Sequence, residues 1–390
     1  MDFDTIHDRR GTHSMKWDDM EQLFGISPDD GLAMWVADMD FRSPRVVRDA
    51  LQDMVDHGIF GYYADFSDYH DAIGWWMQNR HGWTVEPDRL LSACSLDNAI
   101  CMTIDALTDP GDGICIMSPV YHAFHAIIGK TGRKVVQLPM QVADDGRYGL
   151  DIAGWDAAMT GTERALLLCS PHNPGGRVWT RDELAALADF ATRHDLVLIS
   201  DEVHFDMVYP GNHHIPTALI DGVADRLVTL TSASKVFNIP GARISNIIAA
   251  NDDFHRKLKT RIGSIGVKPS NFSMNMVAAA YSPAGAEWVD ALVAYLDGNR
   301  KLLDAGLAAI PGLRSMPLGA TYLSWVDFSG TGMDWTEVSQ RVAGRARIAA
   351  QPGQPFGTGG ESCFRLNIGT PRANVAEAIA RLQDAFSDLQ

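Results

Sequence analysis

The chain of 390 residues carries 49 acidic and 33 basic residues, which gives a formal net charge of −16 at pH 7. Its composition, 46% hydrophobic and 21% charged, is that of a globular protein, and the acidic balance argues against nucleic acid and anionic membranes as partners. Because a single hydrophobic core stops growing at roughly 250–300 residues, we expect two domains.

The N-terminal residues MDFDTIHDRR are polar and lack the apolar core of a signal peptide. No run in the sequence approaches the roughly 18 apolar residues of a membrane span. The five cysteines are widely spaced and form no C-x-x-C pair, so that neither a disulfide framework nor a zinc ribbon is expected. We therefore expect a cytoplasmic protein.

A first helix is predicted to begin at Ser43 and Pro44, with the serine as N-cap and the proline at the first helical position. It is predicted to end at Gly58, since glycine readily adopts the left-handed conformation that closes a helix. Further patterns predict, in chain order, a helix over 67–80, a helix over 96–107, a strand over 113–118, a helix over 121–130 and a strand over 134–140.

Short apolar runs in the middle of the chain predict four buried strands, at 165–169, 196–200, 227–231 and 244–250. Thr180 and Glu183 form a capping box, which predicts a helix over 181–194. Continuous apolar strands that alternate with helices indicate a parallel sheet covered on both faces. The fold class is therefore predicted to be α/β.

From about residue 284 onward the pattern changes to a long helix, the strand TYLSWVDF (321–328), another helix, the strand CFRLNI (363–368) and a last helix. This tail is typical of a separate α+β unit. We predict a large domain over 43–284 that carries a mainly parallel sheet. A smaller domain is predicted to combine 1–42 with 285–390.

Polar side chains follow three of the predicted strands. SPHNPGG (170–176) follows the first of the four central strands, DEVH (201–204) the second, and SASK (232–235) the third, with Arg243 shortly after. Because ligands of open α/β sheets bind outside the carboxyl ends of the strands, we expect these side chains to converge on one edge.

This set of side chains suits pyridoxal phosphate. Its aldehyde needs a lysine amine with which it forms a Schiff base, and its pyridine nitrogen needs an acidic partner; Lys235 and Asp201 are the candidates. Asn173 and His204 are candidate donors to the phenolic oxygen. The phosphate needs hydroxyls, a cation and a helix N-terminus, for which the candidates are Ser232, Ser234, Arg243 and the helix start at Ser95, Leu96 and Asp97.

The order N-P-x-G, D-E-x-H, S-x-S-K and F-R-L-N resembles the aspartate aminotransferase fold, fold type I of the pyridoxal phosphate enzymes, in the class I and II aminotransferase family. More closely, the chain resembles the MalY/PatB group of cystathionine β-lyases, or C–S lyases. The shared segments are RGTHSMKWD (10–18), VADMDF (36–41), HGIFGY (57–62), SPVYHAF (118–124), LLCSPHNPGG (167–176), ISDEVHFDMV (199–208), TSASKVFNIPG (231–241), ATYLSWVDF (320–328) and FRLNIG (364–369).

This resemblance implies catalytic roles for Lys235 as the Schiff-base lysine and proton-transfer base, for Asp201 as the partner of the pyridinium, and for Tyr121 as a ring that stacks on the cofactor. It implies an amino-acid substrate and a homodimer with active sites at the subunit interface. In such a dimer Tyr62 would reach the partner subunit's site, near its phosphate and substrate.

The resemblance also implies how the substrate is held. Arg365 would bind the substrate α-carboxylate as a bidentate pair, assisted by Asn173 and the backbone near Ala37. Two of the candidates keep simpler alternatives open. His204 could be a satisfied buried histidine, and Tyr62 could pack in an aromatic cluster with its neighbours.

Two features depart from the pattern of the C–S lyases. Arg243 stands eight residues after Lys235, where aminotransferases keep a phosphate-binding arginine and some C–S lyases lack one. ACSLDNA (93–99) replaces a phosphate loop of the Pro-Ser-Val type. The first feature favours an aminotransferase as the alternative function, although the resemblance along the whole chain favours a β-lyase.

Two other functions have less support in the sequence. The intact pair of Lys235 and Asp201 argues against a binding protein that is only regulatory. His122 with His125 and His213 with His214 are paired histidines, but no H-E-x-x-H motif accompanies them, so that no metal site is predicted. The sequence does not distinguish cystathionine, cystine and S-methylcysteine as substrates.

Overall fold

Two β-sheets organise the chain, one built from its middle and one from its two ends. The computed structural model describes residues 1–389. The strands are β1 Leu32–Met34, β2 Leu90–Ala93, β3 Gly113–Ser118, β4 Lys134–Pro139, β5 Gln141–Val142, β6 Tyr148–Gly149, β7 Glu163–Cys169, β8 Val197–Asp201, β9 Leu227–Thr231, β10 Ser245–Ile248, β11 Arg314–Ser315, β12 Leu323–Asp327, β13 Ile348–Pro352 and β14 Cys363–Asn367.

The helices frame these sheets and match most of the patterns found in the sequence. They are α1 Met15–Asp18, α2 Met20–Phe24, α3 Arg45–His57, α4 Ser67–His81, α5 Leu96–Leu107, α6 Ala123–Lys130, α7 Ile152–Ala158, α8 Arg181–Arg193, α9 Asp252–Ile265, α10 Asn271–Ala280, α11 Pro283–Ala308, α12 Trp335–Ser339 and α13 Arg372–Ala385. The predicted capping box of Thr180 and Glu183 is present at the start of α8.

The central sheet has the strand order β2-β10-β9-β8-β7-β3-β4. Helices pack on both faces of this sheet. In β7, Ala165 and Leu167 pack in a cluster with residues of α5, α6 and α9, whereas Leu166 and Leu168 pack in a cluster with residues of α7 and α8. The predicted α/β class with helices on both faces of a mainly parallel sheet is therefore confirmed.

Strand β10 corrects one expectation, since it runs antiparallel to both of its neighbours, β2 and β9. A parallel crossover needs a dozen or more residues, usually with a helix that packs on the sheet. The connection from β9 to β10 contains only a 3₁₀ turn at Pro240–Ala242. The chain therefore turns back at the same edge of the sheet.

The start of α3 also differs from the expectation. Its first residue is Arg45, so that Pro44 takes the N-cap position, and no side chain caps the helix. The hydroxyl of Ser43 instead donates to the carbonyl of Asn238 at 3.0 Å. At the other end, Gly58 closes the helix with φ 71°, as predicted.

The second sheet has the order β1-β13-β14-β12-β11, and it joins the N-terminal strand β1 to strands from the end of the chain. β1 runs parallel to β13, and β14 runs antiparallel to both β12 and β13. We propose on this pairing that 1–42 and 285–390 form the smaller domain and 43–284 the larger. In residues 1–389, no helix is long and apolar enough to cross a membrane.

The close approach of α11 to the end of α10 makes Gly285 a sensitive position. A Cβ there would lie 1.8 Å from the carbonyl oxygen of Ala280 and 3.3 Å from the ring of Phe237, which follows Lys235 by two residues. We expect Gly285→Ala to lower the free energy of unfolding by about 1–3 kcal/mol, because backbone atoms have no room to yield.

The matched control is Gly263→Ala on α9, where no atom lies within 4 Å of the new Cβ. The better helix propensity of alanine should leave this variant unchanged or stabilise it by up to about 1 kcal/mol. Denaturant unfolding of both variants measures the difference. Equal stabilities of the two would contradict the packing described for Gly285.

Candidate active site

A cavity of about 170 Å³ opens at the carboxyl ends of β7, β8 and β9. The start of α5 and the connection between β9 and β10 close its sides. The residues that line it are Ala37, Ser95, Leu96, Asp97, Tyr121, Cys169, Asn173, Asp201, Val203, His204, Ser234, Lys235, Pro240, Arg243 and Ile244. Most of the residues predicted from the sequence are therefore brought together at one edge of the sheet.

Lys235 lies in the turn that follows β9, and its amine points into this cavity. Nζ donates a hydrogen bond to the carbonyl oxygen of Ala37 at 2.9 Å. Burial lowers the pKa of the amine, and the nearby Arg365 lowers it further, whereas Asp38, Asp97 and Asp201 oppose the shift. The amine is thus more readily deprotonated than an ordinary lysine and can accept a proton.

Asp201 ends β8, and only 2% of the residue is exposed. Its carboxylate accepts a hydrogen bond from the backbone N–H of Val203 at 3.1 Å. Burial raises the pKa of the carboxyl to about 7, against the lowering effect of that hydrogen bond. A buried carboxylate whose desolvation is offset by so few hydrogen bonds is suited to a cationic partner, such as a protonated ring nitrogen.

His204 and Asn173 both line the cavity. His204 is 2% exposed, and its Nδ1 has no hydrogen-bond partner among the described residues. Burial, with Lys235 and Arg365 nearby, holds the pKa of this imidazole well below its usual range, so that it is neutral. The side-chain oxygen of Asn173 accepts from Arg365 Nη1 at 3.1 Å, which leaves its amide nitrogen available as a donor.

The start of α5 forms the opposite end of the cavity. Ser95 caps this helix, since its Oγ accepts from the backbone N–H of Asn98 at 3.2 Å, and its hydroxyl hydrogen stays free. Ser234 and Arg243 also line the cavity, and Arg243 adopts a left-handed backbone with φ 56°. The exposed carboxylate of Asp97 lies at the same mouth and adds a negative charge.

Ser232 takes a different place from the other predicted phosphate ligands. Its hydroxyl lies 2.7 Å from the carbonyl oxygen of Ile244, to which it donates, and it accepts from the N–H of Ser234 at 3.1 Å. It does not line the cavity and instead supports the turn that presents Ser234 and Lys235. Direct contact of Ser232 with a phosphate stays a prediction.

Arg365, in β14, is 2% exposed and lies beside the cavity. Its Nη2 donates to the carbonyl of Trp35 at 2.9 Å, and its Nε has no partner. Burial lowers the pKa of the guanidinium to about 10. No carboxylate of the described chain pairs with Arg365, so that it is available for the carboxylate of a ligand.

Tyr121 and Tyr62 have contrasting surroundings. Tyr121 lines the cavity, its N–H donates to the carbonyl of Asn173 at 3.0 Å, and burial raises the pKa of its phenol to about 12. Tyr62, in the loop between α3 and α4, is 108% exposed and does not line the cavity of its own chain. A role of Tyr62 in a second subunit stays a prediction.

Several residues near the site were not predicted to belong to it. Cys169, Val203, Pro240 and Ile244 line the cavity, and the Tyr322 hydroxyl donates to the Ala37 carbonyl at 2.8 Å. The position of Cys169 at the end of a predicted strand could have indicated its place. Tyr322 comes from the second sheet, and no spacing in the sequence connects it to Ala37.

Buried contacts between carboxylates and histidines support the loop after β8. Glu202 lies 3.0 Å from Nε2 of His214, and Asp206 lies 2.8 Å from Nε2 of His81. His214, one of the paired histidines noted in the sequence, therefore contacts a single carboxylate. Within residues 1–389, no group of three or more His, Cys, Asp or Glu side chains is placed to hold a metal ion.

The polar groups without partners fit pyridoxal phosphate and an amino-acid carboxylate. The Asp201 carboxylate suits the pyridine nitrogen, and the unpartnered imidazole of His204 suits a polar group of the ring. The N-terminus of α5 suits the phosphate. The unpartnered Nε of Arg365 suits a carboxylate, and Lys235 lines the same cavity.

A model of the family described as aminotransferase class I and II matches residues 31–382. The cystathionine β-lyase PatB of Bacillus subtilis is 37% identical over 391 residues, which cover 99% of this chain and 100% of PatB. The protein MalY of Escherichia coli is 33% identical over 392 residues, with 99% of this chain and 98% of MalY covered.

Among solved structures, cystalysin of Treponema denticola, which contains a pyridoxal 5′-phosphate cofactor, matches with a TM-score of 0.94. The two chains are 31% identical, and the match covers 100% of this chain and 99% of cystalysin. These findings confirm the resemblance, the fold type and the cofactor that the sequence motifs predicted.

The raised pKa of Asp201 predicts a stability change that depends on pH. Folding shifts this pKa from about 3.8 to about 7, so that the folded state binds the proton more tightly than the unfolded state. The free energy of unfolding therefore falls as the pH rises from about 3.8 to about 7. At pH 8 the cofactor-free protein holds a buried charge that Asp201→Asn removes. We expect the variant to gain on the order of a few kcal/mol at pH 8.

Thermal unfolding of the cofactor-free variant and wild type at pH 5 and pH 8 measures this effect, and the gain should shrink at the lower pH. Asp97→Asn, which alters an exposed carboxylate of the same cavity, is the control. A gain for Asp201→Asn that is the same at both pH values would contradict the prediction.

Proposed function

Since the chain belongs to the class I and II aminotransferase family, and within it to the group that contains PatB and MalY, we propose that it is a β-lyase. It cleaves the C–S bond of cystathionine or other cysteine S-conjugates, and with water it yields a thiol, pyruvate and ammonia. The observation that carries the proposal is the full-length similarity to PatB, because the cavity residues serve lyases and aminotransferases alike.

When bound, pyridoxal phosphate supplies a protonated ring that draws electrons from the α-carbon of an amino acid. In the proposed mechanism, the Asp201 carboxylate holds the proton at the pyridine nitrogen, and its burial strengthens this ion pair. Tyr121 would cover the ring, and Ser234, Arg243 and the first turn of α5 would bind the phosphate.

The Lys235 amine carries the proton transfer of the proposed mechanism. Its lowered pKa makes the neutral amine accessible, and a neutral amine can take the proton from the substrate α-carbon. Sulfur then leaves from Cβ as a thiolate, which is stable near neutral pH. The buried Arg365 holds the α-carboxylate, and Asn173 orients the guanidinium.

An aminotransferase is the second candidate function, and Arg243 is the observation that favours it. This arginine lines the phosphate end of the cavity at the position where the aminotransferases keep theirs. Both reactions begin with removal of the α-proton by Lys235. They differ in whether the substrate loses its β-substituent or instead passes its amino group on to a keto acid.

A pyruvate assay separates the two functions. We expect the holoenzyme, mixed with cystathionine and no keto acid, to release pyruvate over many turnovers. Lys235→Ala should lose at least about 10²-fold in rate, because it removes the general base. Lys130→Ala, which alters an exposed lysine at the end of α6, is the matched control and should retain the rate.

One round of amino transfer to the cofactor without pyruvate would show an aminotransferase and end the lyase proposal. The same assay with cystine and S-methylcysteine ranks the cysteine S-conjugates as substrates.

We propose that the protein acts as a homodimer. An apolar patch surrounds the loop after α3, where Val55, Ile59 and Phe60 are 53%, 73% and 57% exposed. This loop lies on the start of α10, since the rings of Phe60 and Phe272 are 5.4 Å apart. Contiguous exposed apolar side chains are typical of an interaction surface, and the fully exposed Tyr62 extends from it.

Hybrid dimers test whether Tyr62 acts across the interface. Tyr62→Ala and Lys235→Ala homodimers should each have little activity. A mixed dimer of the two keeps one site with both side chains intact, so that a statistical mixture should recover about a quarter of wild-type activity. If Tyr62 acted within its own chain, every site in the mixture would be defective and no activity would return.

We also propose a cytoplasmic location for the protein. All five cysteines are free, and Cys115, Cys169 and Cys363 are buried. Unpaired thiols are typical of proteins in a reducing compartment.

A further inference from the structure

A network of buried and partly buried ion pairs, here called the Arg9–Lys16 network, joins the N-terminal segment to the chain that passes the cavity. The Lys16 side chain is 0% exposed and lies 2.8 Å from the carboxylate of Asp40, which is 4% exposed. Arg9 binds Asp38 through two bonds of 3.0 and 2.7 Å and reaches Asp40 at 2.8 Å. The Trp17 indole N–H also donates to Asp40, at 3.1 Å.

The charges of this network balance, with two cations on two carboxylates. Burial alone would raise the pKa of Asp40, but the attraction and hydrogen bond of Lys16 outweigh it and keep that pKa below its usual range. Asp40 is therefore charged. Loss of one partner of such a pair would leave a buried charge, so that the network favours one arrangement of the chain strongly.

The segment held by the network, residues 35–41, lies against the cavity, and side chains bind its carbonyl groups almost one by one. The donors are Arg365 to Trp35 at 2.9 Å, Asn367 to Val36 and Asp38 at 2.5 Å each, Tyr322 and Lys235 to Ala37 at 2.8 and 2.9 Å, and Asn238 to Met39 and Phe41 at 2.8 and 2.7 Å. The segment has no regular secondary structure, and these bonds define its path.

The network binds Asp38, which directly follows Ala37, the residue that Lys235 contacts. Arg9 grips the side chain of Asp38, and Lys16 donates to its carbonyl oxygen at 3.2 Å. Because the peptide unit is planar, fixing Asp38 restricts the orientation of the Ala37 carbonyl that precedes it. That carbonyl is the acceptor for Lys235 Nζ.

We infer that Arg9 and Lys16 are positioning residues, which hold the Ala37 carbonyl and through it the Lys235 amine in place for proton transfer. The inference rests on the proposed role of Lys235. Neither residue lines the cavity, so that both act through the chain between them and the amine. A displacement of about 1 Å at a reacting group can cost about 10²-fold in rate.

The first test is kinetic and uses Arg9→Gln with Arg10→Gln as the matched control. Arg10 neighbours Arg9 in sequence but pairs with Asp8 and Asp29 on the surface. We expect Arg9→Gln to lower kcat about 10-fold while KM stays within about twofold, because positioning affects the chemical step rather than substrate binding. Arg9→Lys, which keeps the charge but not the double hydrogen bond, should restore part of the loss.

The second test does not depend on activity. The cofactor-free protein is treated with an amine reagent over a range of pH, and modification of Lys235 is followed by peptide mass spectrometry. Burial lowers the pKa of the Lys235 amine, and the negative charge of Asp38 raises it. Asp38→Asn removes that charge, so that the apparent pKa of the amine should fall. Arg10→Gln should leave the modification profile unchanged.

Thermal unfolding of each variant verifies that it folds; Arg9 and Asp38 are 23% and 16% exposed, so that these changes are milder than a change of Lys16. The inference is overturned if Arg9→Gln keeps the kcat of Arg10→Gln and Asp38→Asn keeps the wild-type modification profile. Failure of the proposed function has another signature, since the wild type itself would then release no pyruvate.

Discussion

The site depends on keeping charged groups out of water without the opposite charges that normally accompany them. Burial raises the pKa of Asp201 to about 7 and lowers that of Arg365 to about 10, and it also lowers the pKa of Lys235. Desolvation of such groups costs several kcal/mol each, and the surrounding structure must supply this free energy. In the central sheet that carries the site, β3 and β9 have no exposed residue.

The charges around the site fall into two kinds that serve different purposes. In the Arg9–Lys16 network each charged group has an oppositely charged partner within the chain. The carboxylates of Glu202 and Asp206 are likewise bound within the chain, by the imidazoles of His214 and His81. These contacts make the backbone rigid. Asp201 and Arg365 have no oppositely charged partner within the chain, and their free hydrogen-bonding positions are available to a ligand. Rigid surroundings are what allow unsatisfied groups to stay in place.

Much of this arrangement could be predicted from the sequence, and the reason is local. β7, β8 and β9 are continuous apolar runs, and Asp201 and Lys235 lie at or just after the ends of such runs. Residues that follow parallel strands lie at the same edge of the sheet, so that the site could be predicted to form there.

What could not be predicted depends on contacts between distant parts of the chain. Ser232 resembles a phosphate ligand in sequence, but its hydroxyl bonds to Ile244, and this depends on the path of the returning strand. The bond from the Asn238 side chain to the Met39 carbonyl and the bond from the Tyr322 hydroxyl to the Ala37 carbonyl join residues 199 and 285 positions apart. The exposure of Tyr62 has no explanation within one chain, since its surroundings are proposed to include a second subunit.

The reversed direction of β10 has a consequence for the geometry of the cation pair at the cavity. Because β9 ends and β10 begins at the same edge of the sheet, the whole connection between them stays at that edge, with Lys235 near its start and Arg243 near its end. A parallel β10 would begin at the far edge, and its crossover would carry Arg243 away from the cavity. The connection thus holds the basic side chains of Lys235 and Arg243 at a fixed distance from each other along the cavity. An insertion into this connection would change the size of ligand that the two can hold together.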